Sequence, residues 1–107
     1  MVEITNRKVK NWIKTFKQRL VKKYRPEKII LFGSRARGDY LVESDVDFII
    51  VSSKFENMKW PVRLGAVAEL WPGLIAIEPL CYTPEEFNFK KKQLGIVREA
   101  VREGTVI

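Results

Sequence analysis

The chain has 107 residues, 46% of them hydrophobic, and a mean hydropathy of −0.17, the balance expected of a single globular domain rather than a membrane protein. Lysine and arginine outnumber aspartate and glutamate by 20 to 13, a formal charge of +7 that favours anionic partners. With no histidine and one cysteine, Cys81, a histidine-based acid–base or metal site and an internal disulfide are excluded, and catalysis would fall to carboxylates, hydroxyls, cations or a metal ion.

Val9, Trp12, Ile13, Phe16, Leu20, Val21 and Tyr24 recur at helical spacing and predict an amphipathic helix over 6–24, capped by Thr5 or Asn6 and broken at Pro26. Its other face carries Lys8, Lys10, Lys14, Lys17, Lys22 and Lys23, which reads first as a solvated stripe and only second as a phosphate or nucleic-acid surface. This charged start is unlike a secretory signal, and a reducing cytoplasm is the expected setting. Residues 28–32 form a short apolar run, read as a buried strand, and 33–44 a polar loop or short helical turn. A second strand is expected from Asp45 to Val51. A helix follows over 56–71 with Leu64, Val67, Ala68 and Trp71 on one face, then a turn at Pro72-Gly73. A third strand is expected over 74–82, and Pro79 places it at a sheet edge or a bulge.

Thr83-Pro84-Glu85-Glu86 has the residues of a capping box with proline in the first turn. It opens a helix to about Glu103, interrupted near Gly95, before a last short strand over 105–107. The order αββαβαβ describes an α+β domain: a small mixed sheet with helices packed on it.

The stretch from Leu31 to Val51 carries the chemistry. A strand delivers Gly33-Ser34 at its end, a basic loop follows, and the next strand opens with Asp45-Val46-Asp47. Residues at i and i+2 of a strand share a face, so two carboxylates can converge on one metal. Magnesium suits them, because it takes oxygen ligands and keeps places for water and phosphates. Gly33 lets a triphosphate approach the backbone, Ser34 adds a hydroxyl, and Arg35 and Arg37 offer forked cationic donors. Taken singly, each feature has an ordinary reading: a loop Gly-Ser, a capping Asp-x-Asp, two surface arginines. Their placement at adjoining strand ends favours a joint role.

Leu31-Phe32-Gly33-Ser34, ten residues, then Asp45-Val46-Asp47-Phe48 resembles the signature of the nucleotidyltransferase superfamily that includes DNA polymerase beta. Gly33-Ser34-Arg35-Ala36-Arg37-Gly38 with Ser44-Asp45-Val46-Asp47 is similar to its minimal prokaryotic members, the MNT proteins. The resemblance implies ATP as substrate and a two-metal Mg²⁺ site on Asp45 and Asp47. Gly33, Ser34, Arg35 and Arg37 would hold the triphosphate. It also implies a third carboxylate on a later strand. Glu78 is the best match, although the family's usual residue there is aspartate; Asp39 and Glu43 are weaker rivals. The expected reaction is attack by an acceptor hydroxyl on the α-phosphorus.

Minimal members pair with small helical HEPN proteins, which implies an antitoxin that adenylylates a tyrosine of a HEPN toxin. Two other readings stand beside it: an antitoxin that neutralises its partner by contact alone, and a basic nucleic-acid-binding protein. Trp12, Trp60, Trp71 and the phenylalanines read as core, Lys90-Lys91-Lys92 as a solvated helix face, and Cys81 as a small buried hydrophobe.

Overall fold

The structure, a computed structural model, describes residues 6–38 and 44–107. Thr5, Asp39 and Glu43, named above as a cap and as carboxylate candidates, lie outside the described residues. In chain order the elements are helix α1 (Asn6–Tyr24), strand β1 (Lys28–Phe32), the one-turn helix α2 (Ser34–Arg37), strand β2 (Val46–Val51), and a 3₁₀ turn (Ser53–Phe55). Helix α3 (Trp60–Ala68), strand β3 (Ile77–Tyr82), helices α4 (Pro84–Lys90) and α5 (Ile96–Glu103), and strand β4 (Thr105–Val106) complete the fold. The sheet order is β3-β2-β1-β4, with β2 parallel to β3 and β1 antiparallel to both β2 and β4.

Strand β2 is buried on both faces, which explains its near-continuous apolar sequence. Phe48 and Ile50 face one core with Phe16 and Leu20 of α1 and Val67 of α3. Ile49 and Val51 face a second core with Ile30, Phe87, Val97 and Ala100 beneath α4 and α5. Pro79 lies on β3, an edge strand, where the amide it lacks is not needed by a second neighbour.

Helix α1 buries Val9, Phe16, Leu20 and Tyr24, but Val21 is 48% exposed, so the apolar stripe is narrower than its sequence suggests. The helix ends where Arg25 takes a left-handed φ of 44° just before Pro26. The fully buried Ser52 hydroxyl donates to the Tyr24 carbonyl at 2.6 Å, satisfying a helix-end acceptor.

Three boundaries differ from the expectation. The helix expected over 56–71 is Trp60–Ala68, because the preceding chain is taken by the 3₁₀ turn and Asn57 has a left-handed φ of 67°. Ala68 is exposed, outside the apolar face expected for it. The apolar 74–76 is not strand: β2 begins only at Val46, so the ladder ends where the Val46 amide donates to the Ala76 carbonyl at 3.1 Å. Asp45 accordingly precedes β2 rather than opening it. The interruption expected near Gly95 is present: α4 ends at Lys90, and Gly95 at φ 145° opens α5.

The Thr83 capping box is present with both of its bonds. Trp12 and Trp71 pack edge to face, but Trp60 is 37% exposed over Tyr82 rather than core. Among the described residues no helix is long and apolar enough to cross a membrane.

Candidate active site

The site is assembled by strand register. Antiparallel pairing sets Phe32 of β1 opposite Asp47, and parallel pairing sets Glu78 of β3 opposite Asp47 on the other side. Asp47 therefore stands in the middle of three strands, one residue after β2 begins. By strand alternation it shares the face of Ile49 and Val51, the face covered by α4 and α5. Glu78 shares that face with Leu80 and Tyr82, which brings two carboxylates side by side.

Gly33 follows β1 directly at φ 75° and ψ −158°. A β-carbon at Gly33 would overlap Oδ2 of Asp47. Sequence reasoning gave the glycine to an approaching phosphate; in the structure its bare Cα is also the seat of the Asp47 carboxylate. Ser34 then opens α2, and the Gly33 carbonyl accepts from the amides of Ala36 and Arg37, each at 3.1 Å. The first turn of such a helix presents N–H groups that have no intrahelical partner, the donors that suit a phosphate oxygen.

The two arginines of α2 part company. Arg37 lines a cleft of about 260 Å³ together with Gly33, Asp47 and Glu78. Arg35 lies on the α1 side, beside Lys10, Ile13 and Leu31. Its Nε and Nη2 donate to the Ser44 carbonyl at 3.3 and 3.1 Å, so its guanidinium clasps the chain one residue before Asp45.

The Asp47 carboxyl is pushed up to about 6. Burial is the largest cause, followed by the hydrogen bond to Glu78, repulsion from Glu78 and repulsion from Asp45; Arg37 pulls the other way. Such a site holds more negative charge than its surroundings neutralise. Three carboxylates without histidine or thiolate are a donor set that suits a hard divalent cation in kind. The set is not drawn into a tight cluster: among the described residues no three His, Cys, Asp or Glu side chains are gathered to hold a metal ion. Asp45 is exposed at the strand entrance, and Asp47 and Glu78 form the close pair.

The far wall of the cleft was missed by sequence reasoning. It is α5, contributing Ile96, Glu99, Ala100 and Glu103. Their i, i+3, i+4, i+7 spacing after Gly95 was the available signal. Cys81 is fully buried with its thiol pushed up to about 12, chiefly by burial, and has the character of an inert core residue.

The chain matches the family described as "Nucleotidyltransferase domain" over residues 13–104. Two relatives from Methanocaldococcus jannaschii, each named "Putative protein adenylyltransferase", are similar to it. One is 39% identical over 97 residues, spanning 89% of this chain and 93% of the relative. The other is 36% identical over 74 residues, spanning 65% and 75%. A solved structure, "a putative nucleotidyltransferase from Sulfolobus solfataricus", shares the fold with a TM-score of 0.58 at 22% identity, covering 92% of this chain and 83% of that one.

Proposed function

This chain belongs to the nucleotidyltransferase family, and from that premise we propose that its cleft transfers AMP from ATP to a hydroxyl of a protein acceptor. The observation that carries the reading is the seat of Asp47. It lies between Gly33 and Glu78, at the joined ends of three strands, in a cleft that Arg37 also enters.

Gly33, Ser34 and Arg37 receive the triphosphate through backbone N–H groups, a hydroxyl and a forked guanidinium. Arg35 serves the same loop by holding the Ser44 carbonyl, which fixes the approach to Asp45. Asp45, Asp47 and Glu78 would hold magnesium, in a one- or two-ion site, and the bound cation would supply neutralisation of charge on the α-phosphate and on pyrophosphate.

The acceptor oxygen attacks the α-phosphorus in line. The bond from that phosphorus to the bridging oxygen of the β-phosphate breaks, and pyrophosphate leaves. Glu78 takes up the proton that the hydroxyl loses.

A protein acceptor is supported by the names of the two relatives. The acceptor's class comes from the motif resemblance: a tyrosine of a small helical HEPN partner, with this chain as the antitoxin of a cytoplasmic pair.

Transfer from ATP labelled at the α-phosphate, against ATP labelled at the γ-phosphate, tests the reaction. Label from the α position alone should reach a co-expressed protein partner, and Asp45→Ala/Asp47→Ala should abolish it. Transfer of the γ label, or none from folded protein with its partner present, would contradict the reading.

A further inference from the structure

The proposed reaction accounts for one wall of the cleft and leaves the other without a task. Opposite Gly33 and Arg37 stands α5, which turns Ile96, Glu99, Ala100 and Glu103 to the cleft. That set is one face of a helix. Ala100 is 2% exposed and Ile96 60% exposed, so the wall is closed at one point and bare at another. Glu99 and Glu103 are both exposed.

The charge of this lining is opposite to that of the molecule. Among the described residues the cleft carries four carboxylates, on Asp47, Glu78, Glu99 and Glu103, against one guanidinium, on Arg37. The chain as a whole is at +7, and α1 alone carries six lysines and two arginines with no acidic residue. Glu99 and Glu103 repel a polyphosphate, so the α5 side is not the nucleotide side.

We infer that α5 is the acceptor wall, selecting a polypeptide segment whose hydroxyl is flanked by Lys or Arg side chains that meet Glu99 and Glu103, with an apolar neighbour resting on Ile96. The inference rests on the transferase reading above and adds to it the sequence class of the acceptor. A nucleic-acid acceptor would bring its phosphates against the two glutamates. An acidic peptide would be drawn by the net charge of the chain but rejected at the cleft. Local and global charge thus give opposite signs, which makes the test decisive.

Short dye-labelled peptides with a central tyrosine, one flanked by lysine and arginine and one by glutamate, are titrated with the full chain and read by anisotropy, beside a calorimetric titration with Mg·ATP. The native chain binds the basic peptide about three- to tenfold more tightly, the range expected of two exposed ion pairs. Glu99→Lys/Glu103→Lys reverses the preference while Mg·ATP is bound at least as tightly. Equal binding, preference for the acidic peptide, absence of binding to either, or a preference that survives the double substitution overturns the inference. Loss of Mg·ATP binding by the native chain, with the peptide preference intact, contradicts the transferase reading instead.

Discussion

The two ends of the β2–β3 pair treat charge in opposite ways. At the entrance, Asp47 and Glu78 face one another across the ladder, and burial, followed by the hydrogen bond to Glu78 and repulsion from it, pushes the Asp47 carboxyl up to about 6. Past the other end, Arg63 of α3 is almost fully buried and its donors are engaged. Nε donates to the Met58 carbonyl at 2.8 Å, Nη1 to the Cys81 carbonyl at 3.1 Å, and the fork grips Glu86 at 2.6 and 3.3 Å. The Arg63 hydrogen bond is the main reason the Glu86 carboxyl lies below its usual value. Glu86 also closes the capping box at Thr83. One cluster is satisfied and binds α3, β3 and α4 together; the other is the pair proposed above to meet a cation and a substrate. A paired charge of this kind holds the fold together, whereas a crowded one in a cleft is a candidate for a ligand site.

The largest expected effect breaks the crowded end. Asp47→Asn should lower nucleotide transfer on the order of 10³-fold, measured by α-label incorporation. The same change removes a carboxylate that the fold disfavours, so the metal-free protein should gain about 1 kcal/mol at pH 8 after allowance for solvent screening, raising Tm by roughly 5 °C. A variant that loses both activity and stability would end the contrast.

Next comes the satisfied end. Glu86→Ala strips the buried Arg63 of its counter-ion and α4 of its box, and should cost about 3 kcal/mol in urea unfolding. Transfer measured well below the melting temperature should be close to native.

Gly33→Ala joins the two effects. A left-handed φ and the overlap with Asp47 Oδ2 should cost about 2 kcal/mol, and part of that cost should vanish in an Asp47→Ala background. Additive costs in that double-mutant cycle would show that the carboxylate does not press on Gly33.

The smallest effect is on pH. Asp47 has a folded value raised from 3.8 to about 6. The stability it contributes is therefore complete below about 3.8 and lost as pH rises through about 6. Mg·ATP binding should run the other way, weakening by up to about tenfold per unit as pH falls below that point, because it needs the ionised carboxylate.

Much of this architecture is legible in the sequence because it is local. The 3.6-residue spacing gives α1, the apolar runs give β1 and β2, Pro79 gives the edge position of β3, and Thr83-Pro84 gives the start of α4. Gly33, Arg37, Asp47 and Glu78 were also singled out, and the structure brings them to one cleft. What could not be read depends on register and on which helix covers which face. Glu78 lies beside Asp47 only because the parallel ladder sets it there. Arg63 looks like a surface arginine of a helix until α3 turns it under Glu86. Arg35 looks like a twin of Arg37 until α2, a single turn, sends one to Ser44 and the other to the cleft. The α5 wall is not legible in the sequence because Ile96, Glu99, Ala100 and Glu103 meet Gly33 and Asp47 only through the packing of α5 beside β1.

The carboxylates at the β2 entrance and the Gly33 turn are proposed to form a magnesium-dependent nucleotide site. Its most direct test is calorimetric titration of the folded protein with ATP, with and without Mg²⁺, beside Asp45→Ala/Asp47→Ala. The expected result is binding that requires Mg²⁺ and is lost in the variant. Binding of equal strength in the two proteins, or none by the native chain in the presence of Mg²⁺, would contradict it.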